Sequence, residues 1–248
     1  MNMDTNKEFT QEMNTQTVVL DIDEELEFRV KEAYKTLRAN LEFSGDDVKV
    51  IAVTSCTPNE GKSSVSFNLA KAIAESGKRV ILLDADLRKS VLVGRYKSGN
   101  VKFGLTHYLC GQRKFQEVYC STNIKNMFIA FSGPVPPNPS ELLGGKYFQS
   151  MIKTLRNIFD YIIIDTPPLG SVIDSAVVAK QCDGSILVVA SKEISYKLAQ
   201  RVKKQLEVSE CKILGCVLNK VNMSKKSYYG KYYGKYYGNY YGNYYGKD

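Results

Sequence analysis

The sequence predicts an α/β fold, a mainly parallel sheet flanked by helices on both faces. Two observations predict it. Short, strongly apolar runs such as 80–83 and 162–164 alternate with longer segments of helical apolar spacing along most of the chain. Strands that read as continuous apolar runs are buried on both faces, and alternation with helices is the pattern of a parallel sheet covered on each side.

Taken in order, residues 1–23 are polar and non-periodic and read as a mobile arm. From residue 24 to 41 the positions Leu26, Val30, Ala33, Leu37 and Leu41 recur at helical spacing. Residues 48–54 read as a strand, 62–76 as a helix and 79–83 as a second strand. A strand over 127–131 precedes one helix spanning 140–157. The run 161–164 reads as a buried strand, followed by a helix at 174–181, a strand at 185–190, a helix at 195–208 and a last strand at 213–219. Functional groups in such a sheet gather at the carboxyl ends of its strands. The single domain therefore spans 24–221. Residues 222–248 repeat Tyr-Tyr-Gly every four positions and carry no aliphatic core, so they read as a flexible tail.

Composition narrows the function. The chain has 248 residues, enough for one α/β domain with a substantial core. No apolar run approaches the ~20 residues of a membrane span, and the acidic N-terminus has no apolar signal region, so the expected location is cytoplasmic. Six cysteines form no metal-ligand spacing and read as free thiols in a reducing compartment. The only histidine, His107, has no Cys or His beside it in sequence and reads as a surface or packing residue. The net charge of +8 is uneven, because residues 1–28 are strongly acidic and the tail is basic. No nucleic-acid-binding motif accompanies it, and nucleic acid is not an expected partner.

The chemistry sits in three segments. Thr54-Ser55-Cys56-Thr57-Pro58-Asn59-Glu60-Gly61-Lys62-Ser63 follows a predicted strand and opens a predicted helix, the context that a phosphate-binding loop requires. Its backbone N–H groups and the helix N-terminus favour phosphate oxygens. Lys62 reaches the β- and γ-phosphates of ATP, Ser63 binds Mg²⁺, and Ser64 makes a further phosphate contact. Cys56 stands where the first glycine of the pattern belongs. The second segment is an apolar strand ending in Asp84-Ala85-Asp86-Leu87-Arg88, and the third an apolar strand ending in Asp165-Thr166-Pro167-Pro168. Carboxylates beside buried strands need a compensating cation or hydrogen bonds. Two acidic strand ends and a phosphate loop at one rim make a Mg·ATP site.

The trio resembles the Walker A, A′ and B motifs of the bacterial tyrosine kinases, P-loop enzymes related to the MinD and ParA ATPases. Glu32-Ala33-Tyr34-Lys35-Thr36-Leu37-Arg38 is similar to that family's oligomerisation helix, with Lys35 in place of an arginine. Residues 132–143 match a further family segment. The tyrosines of the tail match the family's C-terminal cluster: Tyr228, Tyr229, Tyr232, Tyr233, Tyr236, Tyr237, Tyr240, Tyr241, Tyr244 and Tyr245.

The resemblance implies an ATP- and Mg²⁺-dependent protein-tyrosine kinase that autophosphorylates this tail. It gives Lys62 and Ser63 the Walker A role, and has Asp84 and Asp165 hold or position Mg²⁺. Asp86 accepts the tyrosine proton, Arg88 joins the nucleotide site, and Asn219 contacts adenine. It further implies a ring-shaped homo-oligomer through Glu32, Lys35 and Arg38, a separate transmembrane activator (a polysaccharide co-polymerase), a cognate tyrosine phosphatase, and control of capsule or exopolysaccharide export from the inner face of the membrane. The competing expectation is a MinD/ParA-like ATPase switch with a self-associating aromatic tail. It is weakened because Thr57 stands where that group has a signature lysine.

Overall fold

The computed structural model describes residues 16–22, 26–96 and 101–222. Eight strands form one sheet: β1 (Thr17–Val18), β2 (Val50–Ser55), β3 (Val80–Asp84), β4 (Tyr119–Thr122), β5 (Met127–Ala130), β6 (Tyr161–Asp165), β7 (Gly184–Ala190) and β8 (Ile213–Asn219). Their order is β1-β4-β5-β3-β6-β2-β7-β8. Every pairing is parallel except that of β4 with β5. The central strands β2, β3 and β6 have almost no exposed residue, as their unbroken apolar sequences require.

Alternate side chains of each strand feed two cores. On one face Ile51, Val53, Leu82 and Ile163 pack with Val65, Leu69 and Ile73 of helix α2 (Lys62–Glu75) and with Leu41 of helix α1 (Phe28–Glu42). On the other, Val50, Ala52, Ile81 and Ile164 pack with several short helices. After α3 (Leu92–Arg95), which follows β3, these are α4 (Leu105–Leu109), α5 (Pro139–Gly144), α6 (Lys146–Leu155) and α7 (Asp174–Ala179). Helix α8 (Tyr196–Val208) closes that face over β7 through Val202 and Leu206. A single 3-10 turn, Phe115–Glu117, precedes β4.

Three differences from the expected layout have physical causes. The single helix expected over 140–157 is two, because Gly145 leaves the helical region (φ −78°, ψ 169°) between α5 and α6, and glycine holds a helical conformation about 0.5–1 kcal/mol less well than alanine. The first helix begins at Phe28 rather than residue 24, so Leu26 lies outside it. Part of the segment read as a mobile arm adds to the sheet: Thr17 and Val18 pair with Ser121 and Thr122, and Val18 and Leu20 are buried. Neither β1 nor β4 has enough length or alternation to declare itself in sequence. The tail tyrosines lie outside the described residues.

Candidate active site

The sheet order assembles the site. Strand β6 lies between β3 and β2, and its register sets Asp165 opposite both Asp84 and Val53. Two acidic strand ends and the loop after β2 therefore finish at one level of one rim. The loop turns into α2 through Gly61, whose φ of 89° is left-handed and favours glycine. Glu60, buried in the loop, accepts hydrogen bonds from the Thr57 amide and hydroxyl and from the Ala190 amide at 2.9 Å, which ties the loop to the end of β7. Pro58 and Asn59 form the exposed crest of the loop, with Asn59 at a φ of 67°.

Cys56 occupies the first-glycine position without positive φ and is fully buried, packed beside Leu169, Leu187 and Val202. Burial, followed by Glu60, pushes its thiol up to about 11. It behaves as a small core residue. The room is supplied across the loop by Gly170, where a Cβ would lie 2.1 Å from the Cys56 carbonyl oxygen.

Lys62 is the hub. Its Nζ lies 3.1 Å from Asp86 Oδ2, 3.4 Å from Asp165 Oδ2 and 3.2 Å from Ser63 Oγ. Burial works against its charge, but Asp165 and Asp86 outweigh it and hold its pKa above the ordinary lysine value. Asp165 is anchored from the other side by Ser66 Oγ at 3.1 Å, and its own pKa is raised by burial, with Lys62, Ser63 and Ser66 opposing. Asp84 is fully buried, and burial together with Asp165 pushes its carboxyl up to about 7. Its Oδ2 accepts from Ser90 Oγ and from the Ser132 amide at 3.4 Å. Its Oδ1 is buried with no hydrogen-bond partner.

That orphaned oxygen is the observation on which a magnesium ion fits, since a buried acceptor without a partner costs about 1–3 kcal/mol and a cation would satisfy it. Among the described residues no group of three His, Cys, Asp or Glu side chains is placed to hold a metal by itself.

Of the residues the sequence singled out, the structure brings together Lys62, Ser63, Asp84, Asp86 and Asp165. Others have different partners. Arg88 forms a bidentate pair with Asp174 at the start of α7, Nε to Oδ2 at 2.7 Å and Nη2 to Oδ1 at 3.0 Å. Ser64 Oγ accepts from Arg95 at the end of α3. Asn219 donates from Nδ2 to the Glu60 carbonyl at 2.8 Å and so braces the loop. On α1, Lys35 pairs with Glu32 at 2.7 Å within the helix, while Arg38 donates to the Ala72 carbonyl at 3.2 Å and ties α1 to α2. His107 accepts from the Gly104 amide at 3.1 Å, a structural contact. Sequence reasoning missed Ser66, Ser90 and Asp174. Ser66, one turn beyond Lys62 on the face that points at the sheet, is the only one with a local signal.

The AAA domain family matches residues 48–212. The chain is 46% identical over 205 residues to the tyrosine-protein kinase CpsD of Streptococcus pneumoniae serotype 4, an overlap covering 82% of this chain and 90% of that protein. The chain belongs to the bacterial tyrosine-kinase family. The kinase is similar in structure to the kinase domain of the Escherichia coli tyrosine kinase ETK, with a TM-score of 0.72 at 30% identity over 80% of this chain and 79% of the other. It shares its fold with the septum site-determining protein MinD of Pyrococcus horikoshii, at a TM-score of 0.63 and 24% identity over 76% of each chain. The kinase is thus a nucleotide-binding phosphotransferase, and no helix among its described residues is long and apolar enough to cross a membrane.

Proposed function

We propose that the kinase transfers the γ-phosphoryl group of Mg·ATP to tyrosines of its own 228–245 tail, between subunits. The observation that carries this is Lys62 held between Asp86 and Asp165 at the phosphate loop. Phosphoryl transfer is mostly positioning and charge stabilisation, and each residue here has a matching task. The loop amides of 57–63 and Ser64 cradle phosphates. Lys62 leaves its carboxylate partners for the β- and γ-oxygens. Ser63, Asp84 and Asp165 hold the magnesium ion, which when bound neutralises charge on the phosphates. Asp86 is left free of Lys62 as the nucleotide enters and accepts the tyrosine proton. Asn219, which braces the loop from the end of β8, would contact adenine.

A segment as long as the one that follows Val221 can span ~30 Å, which would reach the site of a neighbouring subunit. Glu32, Lys35 and Arg38 would supply the contact that builds a ring of subunits. A separate transmembrane protein would recruit and activate the kinase at the inner face of the membrane, a tyrosine phosphatase would reverse the modification, and the cycle would regulate capsule or exopolysaccharide production. The test is mass spectrometry after incubation with Mg·ATP, beside Lys62→Ala. Phosphotyrosine on 228–245 in the wild type alone is the expected result; ATP hydrolysis with no phosphotyrosine in the presence of a membrane activator would overturn it in favour of an ATPase switch.

A further inference from the structure

Asp84 has two oxygens with opposite fates. Its Oδ2 is held by Ser90 Oγ and by the Ser132 amide, and its Oδ1 is buried and unpartnered. Ser90 lies outside the acidic motif, six residues beyond Asp84. Its hydroxyl oxygen also accepts from the Leu92 amide at 3.3 Å, at the start of α3. The far end of that helix carries Arg95, which donates to Ser64 in the first turn of α2, next to Ser63. Residues 90–95 therefore form a strap from the acidic strand end to the phosphate loop's helix, and the contact at its first end sets the rotation of the Asp84 carboxylate.

We infer that Ser90 is a positioning residue for the cation, fixing Asp84 so that Oδ1 alone faces the metal; this rests on the Mg·ATP reading of the site. A hydroxyl that donates to one carboxylate oxygen leaves the other as the acceptor for a cation, and it prevents both oxygens from turning toward Lys62. A carboxylate freed of this contact could rotate, so that cation binding must first restore its orientation. Partners that orient a metal ligand typically change metal affinity by about 10- to 100-fold when removed. Ser63, Asp84 and Asp165 would hold the magnesium ion, and Ser90 would act only through Asp84.

The experiment measures binding of a fluorescent ADP analogue to the full-length kinase as Mg²⁺ is titrated, and separately with EDTA present. Ser90→Ala is expected to raise the Mg²⁺ concentration at half-effect by about 10-fold and to leave binding in EDTA unchanged. Ser90→Thr, which keeps the hydroxyl, is expected to restore the wild-type midpoint. Equal weakening with and without Mg²⁺ would show a merely structural role and overturn the inference, as would an unchanged midpoint in a folded Ser90→Ala protein. If Ser90→Ala does not fold, Ser90→Cys, a weaker donor of similar size, carries the same expectation. Asp84→Asn separates the two readings. If it raises the Mg²⁺ midpoint and Ser90→Ala does not, only the role of Ser90 fails; if Asp84→Asn has no effect, the metal-binding reading of Asp84 fails with it.

Discussion

The side-chain amide of Asn219 fills the space beneath Gly61, so that a Cβ on residue 61 would lie 2.1 Å from Asn219 Nδ2. The same amide donates to the Glu60 carbonyl, which joins the end of the last strand to the turn that opens α2. Gly61→Ala would meet two penalties, a left-handed φ of 89° and displacement of Asn219. The expected result is a loss of about 1–3 kcal/mol of stability together with loss of nucleotide binding. Urea unfolding and ADP-analogue binding check both, and Asn219→Ala in the Gly61→Ala background should recover part of the stability by removing the clash.

Glu60 holds the loop to the sheet through acceptors only, taking the Thr57 amide and hydroxyl on one oxygen and the Ala190 amide on the other. Glu60→Gln keeps the shape but turns an NH₂ toward one of these N–H donors. About 1–3 kcal/mol is the expected cost, with weaker nucleotide binding both with and without Mg²⁺. A protein of wild-type affinity and stability would show that the carboxylate does not brace the loop.

Arg88 compensates an aspartate with no exposed surface, while its own side chain is 40% exposed. Removing one partner of a fully buried pair costs about 3–5 kcal/mol, and solvent access at Arg88 lowers the expected loss for Arg88→Ala to about 2 kcal/mol. Arg88→Ala with Asp174→Asn, in which no charge is left buried, should be more stable than Arg88→Ala alone. Denaturant midpoints of the three proteins decide it.

Acid–base behaviour gives a further prediction. The Asp84 carboxyl has a folded pKa of about 7 against an ordinary value of 3.8, because burial and the adjacent Asp165 disfavour its charge. Between those values the folded chain keeps a proton that the unfolded chain has lost, so this group's stabilisation is full below about pH 4 and is lost as pH rises through about 7. Unfolding of the nucleotide-free protein in EDTA should therefore show stability declining from pH 5 to 8. Asp84→Asn should flatten most of that slope, leaving a residue from Asp165, whose raised pKa acts in the same direction.

Deleting residues 223–248 should abolish phosphotyrosine formation while leaving ADP-analogue binding unchanged, because the residues proposed to hold the nucleotide end at Asn219, which braces the phosphate loop. Phosphotyrosine persisting at the wild-type level in the truncated protein would move the acceptor to the domain itself.

The phosphate loop, the two acidic strand ends and most of the central strands were legible because each is a local signal. A buried parallel strand must be apolar along its length, and a glycine-lysine-serine turn must join a strand to a helix. Strand β8 was placed at its observed bounds, and α8 and β7 within a residue of theirs. The short elements β1, β4, α3 and α4 were not legible, since two to five residues carry too little periodicity to stand above loop composition.

What the sequence by itself determined is the chemistry available: a lysine, a serine and three aspartates at or near strand and loop ends, and a tail in which tyrosine hydroxyls recur every four residues. What only the tertiary structure decided is how those groups are held. The placing of β6 between β3 and β2 puts Asp84 beside Asp165 in register. Packing gives Arg88 to Asp174, Ser64 to Arg95 and the Asn219 amide to the loop, and it leaves one oxygen of Asp84 without a partner. The physical reason is range. Periodicity and turn chemistry act over a few residues, whereas hydrogen bonds between groups as far apart in sequence as Glu60 and Asn219 exist only once burial of the two cores has fixed the order of the strands.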